Sequence, residues 1–334
     1  MAEDGVVPPP MPLYSLGRTG EIREEKFHEA DLRPPQTGTT FPFIWPPPEH
    51  LHSVTTFAEP VLDVPSESLI KREMELDSAR WAKMEDTQGD QVYDSLVPPR
   101  NRNRKSAAVQ GATPPEKMLP WYVPEGPEDD TLVFESRFES GNLRTASKIE
   151  ESEYNLHLAL DINTDRHTQW FYFRVGNTRP GRRYKFNIQN LLKGDSVYNL
   201  GMQPLVYSEE RAKAERIGWY RGGIDVCYFK NQITRAKAQP FWTLTFTVST
   251  EFPGDTLYLA HCFPYTYTDL QRYLHALDTS PARSFVRQRT LCQTLAGNEC
   301  NLLTITSPEG SNTSKRGIVV SARVHPGETN ASWM

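Results

Sequence analysis

A chain of 334 residues with 37 basic and 42 acidic side chains carries a formal net charge of -5, which gives no electrostatic reason to expect nucleic acid or an anionic membrane as its main partner. No apolar stretch approaches the length of a membrane span, and the acidic start Met1-Ala2-Glu3-Asp4 is unlike the basic, then apolar, opening of a signal peptide. The composition points to a soluble intracellular protein with room for about two or three domains, at roughly 100 to 200 residues each.

Nineteen of the 27 prolines lie in the first 127 residues, in runs such as Pro8-Pro9-Pro10 and Pro46-Pro47-Pro48. Proline fixes φ and donates no backbone hydrogen bond, so residues 1–128 are predicted as a mostly disordered Pro-rich region, with the folded part starting near Asp130. Within it, residues 69–83 have helix-forming composition with scattered apolar positions (Ile70, Met74, Leu76, Trp81), which allows one transient helix. The aromatic islands Phe41-Pro42-Phe43-Ile44-Trp45 and Trp121-Tyr122-Val123 read as parts of a mobile tail. The basic run Arg100-Asn101-Arg102-Asn103-Arg104-Lys105 reads as a solvated linker, with a nuclear signal or an acidic-tail contact as alternatives.

From Thr131 the texture changes to short aromatic and β-branched runs, punctuated by Gly, Asn and Pro. Tyr154, Leu156, Leu158, Leu160 and Ile162 alternate with more polar residues, as do Tyr184, Phe186 and Ile188, and Trp242, Leu244, Phe246 and Val248. Residues 170–175 are apolar on both faces, which predicts a central strand. Turns are predicted at Ser140-Gly141-Asn142 and at Asn177-Thr178-Arg179-Pro180-Gly181. Residues 129–262 are therefore read as an antiparallel β-sandwich.

After Pro264 a helix is predicted over 269–277, with Thr268 and Gln271 as a capping box and Leu270, Tyr273, Leu274 and Leu277 on one side. A helical or extended segment over 290–296 leads through Gly297-Asn298 to the apolar run 302–306. A further strand over 318–324 follows a polar loop. Residues 263–334 thus read as the beginning of an α/β domain.

That last strand delivers His325-Pro326-Gly327-Glu328. A histidine and a carboxylate three apart can reach one metal ion from a turn, and Pro326 favours a turn over a helix. Zinc sites of the two-histidine, one-glutamate type leave a fourth position for water, whose pKa falls to about 7. By spacing alone the pattern is weak, since His28 and Asp31 repeat it in the Pro-rich region; the alternative is a strand-end histidine beside a solvated carboxylate. His167, His261 and His275 lack such a partner and are read as structural. Cys227, Cys262, Cys292 and Cys300 have no close-pair metal spacing and are read as reduced, buried small hydrophobes.

Residues 134–334 resemble the cytosolic carboxypeptidases, a branch of the metallocarboxypeptidases that shortens polyglutamate chains on tubulin. The matching blocks are Phe134-Glu135-Ser136-Arg137-Phe138-Glu139-Ser140-Gly141-Asn142-Leu143, His167-Thr168-Gln169-Trp170-Phe171-Tyr172-Phe173, Gly201-Met202-Gln203-Pro204-Leu205, Pro264-Tyr265-Thr266-Tyr267-Thr268-Asp269-Leu270-Gln271, and Ala322-Arg323-Val324-His325-Pro326-Gly327-Glu328-Thr329-Asn330. The stretch Asp225-Val226-Cys227-Tyr228-Phe229-Lys230-Asn231 looks closer to the type-one and type-four members.

The resemblance implies that the sandwich is the accessory domain before an α/β zinc carboxypeptidase domain, that His325 and Glu328 are zinc ligands, and that one Zn2+ serves the complete domain. It also implies a second zinc histidine, an asparagine-arginine pair for the substrate carboxylate and a glutamate base, all beyond residue 334. The chain is accordingly expected to be a truncated form, inactive and weak or silent toward zinc. The family's partners are tubulin and other proteins with acidic C-terminal tails, and its place is the cytoplasm, with the cytoskeleton as a further site. The alternative reading is a non-catalytic sandwich that binds tubulin or another protein without cleaving it.

Overall fold

The computed structural model describes residues 13–16, 22–25, 63–82, 89–95, 122–161, 167–235, 239–294, 297–307 and 315–334. The runs Pro8-Pro9-Pro10 and Pro46-Pro47-Pro48, the aromatic island 41–45, the basic run 100–105, Trp121 and the His28/Asp31 pair lie outside these residues. The chain divides into two units, Met1–His261 and Cys262–Met334.

In the first unit, strands β1 (Leu13–Leu16) and β2 (Ile22–Glu25) pair antiparallel. Helix α1 (Glu67–Ala82) follows, then β3 (Asp90–Asp94), β4 (Val133–Glu135), β5 (Leu143–Glu150), β6 (Glu153–Leu158), β7 (Tyr172–Gly176), β8 (Tyr184–Leu191) and β9 (Leu205–Ser208). Helix α2 (Glu209–Glu215) leads to β10 (Tyr220–Arg221), β11 (Ile224–Arg235), β12 (Gln239–Val248) and β13 (Leu257–Ala260). Two sheets result, one ordered β11-β12-β8-β6-β5-β3 and the other β10-β9-β13-β7-β4.

The alternation read from the sequence decides which side chains meet between the sheets. Tyr154, Leu156 and Leu158 of β6, Tyr184, Phe186 and Ile188 of β8, and Leu244, Phe246 and Val248 of β12 all enter one core with Phe134, Phe171, Phe173 and Val175. Each such side chain is worth about 1.5–3 kcal/mol of burial. Phe186 sits at the centre, its ring 5.9 Å from Phe173, 5.7 Å from Phe246 and 6.1 Å from both Phe134 and Tyr154. The central strand expected over 170–175 is β7, buried on both faces and flanked by β13 and β4. The β6 alternation stops at Leu158; Leu160 is exposed and Ile162 lies outside the described residues.

One pairing departs from the antiparallel expectation. After β6 the chain crosses to the other sheet, contributes β7, and returns as β8 parallel to β6. A parallel neighbour needs a long crossover, and the sandwich supplies it by switching sheets.

The expectation that folding begins near Asp130 is corrected. Strand β3 pairs with β5 through Asp90 opposite Lys148 and Asp94 opposite Thr145, and α1 packs along β11. The helix predicted over 69–83 is present, but its inward side is not apolar: Glu73 and Asp77 are buried, whereas Met74 and Leu76 are exposed. The reason is the surface it covers. Lys185 forms an ion pair with Glu73, Arg80 Nη2 lies 2.6 Å from Glu153 Oε2, and Asn187 Nδ2 donates to Glu153 Oε1 at 2.7 Å. A sheet face bearing Lys185 and Asn187 selects carboxylates in the covering helix.

In the second unit, helix α3 (Tyr267–Thr279) starts two residues earlier than predicted. The cap is Thr266, whose hydroxyl accepts from Asp269 N at 3.1 Å while the Asp269 carboxylate accepts from Thr266 N at 2.9 Å. Aspartate thus fills the returning position usually held by Glu or Gln. Of the predicted apolar side, Leu274 is buried and Tyr273 exposed. Of the segment over 290–296, residues 290–293 are extended as part of β14 (Val286–Gln293), which pairs antiparallel with β15 (Glu299–Ile305) as a separate two-stranded sheet.

The strand predicted over 318–324 is absent, and Ile318, Val319, Val320 and Val324 are exposed. A strand forms only where a neighbour completes its hydrogen bonds, and among the described residues none pairs with this run. The reading of the cysteines is corrected too. Cys227 is buried and Cys262 half-buried, but Cys292 and Cys300 are exposed, because both faces of the β14–β15 hairpin are open.

Candidate metal site

His325 and Glu328 stand on a tight turn: Glu328 N donates to His325 O at 3.0 Å, closing the four residues 325–328. Pro326 occupies the second position, which its fixed φ suits. The turn is tied into its unit on both sides. Arg323 Nη1 donates to Ser332 Oγ at 2.9 Å, Trp333 Nε1 donates to Phe263 O at 3.2 Å, and the Tyr265 and Trp333 rings meet edge to face at 4.9 Å. The short 3-10 helix Thr329–Trp333 follows directly, with Thr329 buried.

The turn brings the two predicted ligands together. His325 Nδ1 lies 2.8 Å from Glu328 Oε1, with the side chains 78% and 49% exposed. His325 N also donates to Glu328 Oε2 at 3.4 Å. These hydrogen bonds from His325 hold the Glu328 carboxyl below its usual range. One imidazole nitrogen and one carboxylate oxygen on a single exposed turn are donor types that suit zinc. The number of donors falls short: a catalytic zinc takes three protein ligands, and no group of three His, Cys, Asp or Glu is gathered among the described residues. An open hollow of about 690 Å³ in the same unit is lined by Gln271, His275, Asp278 and Arg283 among others, without His325 or Glu328.

Three other histidines among the described residues have local roles. His261 is buried with Nδ1 2.9 Å from the Tyr198 hydroxyl, and burial together with Arg221 and Lys193 lowers its pKa to about 4. His167 and His275 are exposed, and their carbonyls accept from Asp161 N and the Thr279 hydroxyl.

Three of the five sequence blocks that carried the resemblance, 134–143, 167–173 and 201–205, are joints of the sandwich. Glu135 accepts from Arg137 Nε at 3.1 Å and Nη2 at 3.0 Å, and from the backbone of Ser136 and Arg137, all buried. Ser136 Oγ links Tyr172 O to Leu143 N. Gly141 runs so close that an added Cβ would stand 2.0 Å from Ser136 O. Thr168 Oγ1 donates to Asn190 O at 2.6 Å, and Gly201 holds φ at 97°, where a side chain is strained.

Residues 134–260 match the family model described as the cytosolic carboxypeptidase N-terminal domain. The chain is 51% identical over 214 residues to human cytosolic carboxypeptidase 2, covering 63% of this chain and 24% of the relative. It is 49% identical over 208 residues to mouse cytosolic carboxypeptidase 3, covering 62% and 21%. The chain therefore spans about a quarter of the length of the curated relatives it matches. It is 46% identical over 224 residues to mouse cytosolic carboxypeptidase 1, covering 62% and 18%. A solved metallo-carboxypeptidase from Burkholderia cenocepacia aligns with 61% of this chain and 46% of its own, at 23% identity and a TM-score of 0.45. The chain is thus similar to the cytosolic carboxypeptidases, and residues 134–260 correspond to their N-terminal domain.

Proposed function

We propose that this chain belongs to a zinc metallocarboxypeptidase that removes C-terminal or side-chain glutamates from tubulin and other acidic-tailed proteins in the cytoplasm, with His325 and Glu328 as two of its zinc ligands. The observation that carries the reading is the 2.8 Å approach of His325 Nδ1 to Glu328 Oε1 on an exposed turn, in a chain whose relatives are named cytosolic carboxypeptidases. Zinc, when bound, supplies a Lewis acid for a peptide carbonyl. The chain's own part is to present one nitrogen and one carboxylate from a turn braced by Arg323 and Trp333. Since two donors make an incomplete set, the reading includes weak zinc affinity and no hydrolysis by these residues alone.

The test is release of free glutamate from polyglutamylated tubulin by the purified chain with added zinc, alongside co-sedimentation with microtubules. No release, with sedimentation that disappears when the acidic tails are removed, fits the proposal. Release that persists in His325→Ala and Glu328→Gln variants would refute the assignment of the ligands. Tail-independent sedimentation without any zinc uptake would favour a non-catalytic binding role for the sandwich.

A further inference from the structure

Cys292 and Cys300 stand directly opposite each other in the β14–β15 hairpin. Directly paired residues of antiparallel strands point to the same face, with Cα atoms about 4.5 or 5.5 Å apart according to the type of pair. Both separations fall inside the roughly 4.4–6.8 Å window in which a disulfide can form. Both side chains are exposed to solvent. The other thiols differ in exposure: Cys227 is buried and Cys262 half-buried.

We propose that Cys292 and Cys300 form a redox-responsive dithiol that closes to a cross-strand disulfide when a disulfide oxidant such as oxidised glutathione is present. In the first step one cysteine, as thiolate, attacks oxidised glutathione, forms a mixed disulfide and releases one reduced glutathione. The second cysteine loses its proton to solvent, attacks the mixed disulfide at the protein sulfur and releases the second reduced glutathione. Two protein thiols are oxidised to one disulfide and one glutathione disulfide is reduced to two thiols. Disulfides in the reducing interior of a cell are typically transient and redox-sensing, which suits an exposed pair. The ring so closed pins the turn end of the hairpin, where Glu299 N donates to the Tyr267 hydroxyl of α3 at 3.0 Å.

The test uses the full chain, reduced and then equilibrated with oxidised glutathione. Titratable thiols should fall from four to two. Trypsin leaves both cysteines in one peptide, because no Lys or Arg lies between Arg289 and Lys315. That peptide should be lighter by two hydrogens, and cleavage after Glu299 should leave its halves joined until a reductant is added. In Cys292→Ser or Cys300→Ser chains the remaining cysteine should carry one glutathione. Glutathione on both cysteines of the parent chain, a bridge to Cys262 or between chains, or four persistent thiols would overturn the proposal.

Discussion

Replacing Asp77 by Asn is predicted to stabilise the protein at neutral pH and leave it unchanged in acid. Asp77 is buried where α1 meets the sheet, and its two nearest bases are already engaged, Arg80 with Glu153 and Lys185 with Glu73. Burial raises its pKa to about 6, against partial compensation from Arg80, Lys185 and the Gln232 backbone N–H. In the unfolded chain an aspartate titrates near 3.9. Between these values the folded state holds a proton that the unfolded state has lost, so stability falls as pH rises through roughly 4 to 6 and the full penalty stands above it. The gap corresponds to about 3 kcal/mol at 1.36 kcal/mol per pH unit. Relaxation around a buried ion reduces such a penalty, here to about 1–2 kcal/mol. Urea unfolding of parent and Asp77→Asn at pH 4 and pH 7.5 reads the difference directly. The variant should gain about 1–2 kcal/mol at pH 7.5 and nothing at pH 4; equal destabilisation at both would refute the argument.

Phe186→Ala removes the ring that meets four others in the core and should cost about 3–5 kcal/mol in the same urea experiment. His261 titrates in the opposite sense to Asp77. Its folded pKa of about 4 lies below the ordinary 6.5, so the stability it contributes is complete above pH 6.5 and is lost as pH falls through 4, by up to about 3 kcal/mol. Comparing His261→Gln with the parent across that range should flatten this acid-side loss, and an unchanged slope would contradict it.

The parts of the fold legible from sequence were those where one face is buried and the period is two: Tyr154-Leu156-Leu158, Tyr184-Phe186-Ile188 and Leu244-Phe246-Val248 all enter the core. The parallel register of β6 and β8 was not legible, because alternation marks faces and says nothing of strand direction. Helix α1 was visible as composition, but its packing was hidden because it docks through Glu73 and Asp77 on a charged sheet face. The run 318–324 shows the reverse error: an apolar stretch reads as a buried strand, yet burial requires a neighbour to pair with. The His325/Glu328 turn was legible because Pro326 and the spacing of three are local signals. The Cys292/Cys300 juxtaposition was not, since it depends on the hairpin register set around the turn at 297.

The central claim is that His325 and Glu328 are metal ligands, and zinc titration of the purified chain followed by calorimetry tests it most directly. Weak binding, with a Kd on the order of micromolar or above for a two-donor site, should be present in the parent and lost in both His325→Ala and Glu328→Gln. Zinc uptake identical in the parent and in both variants would contradict the claim and place the metal elsewhere in the chain.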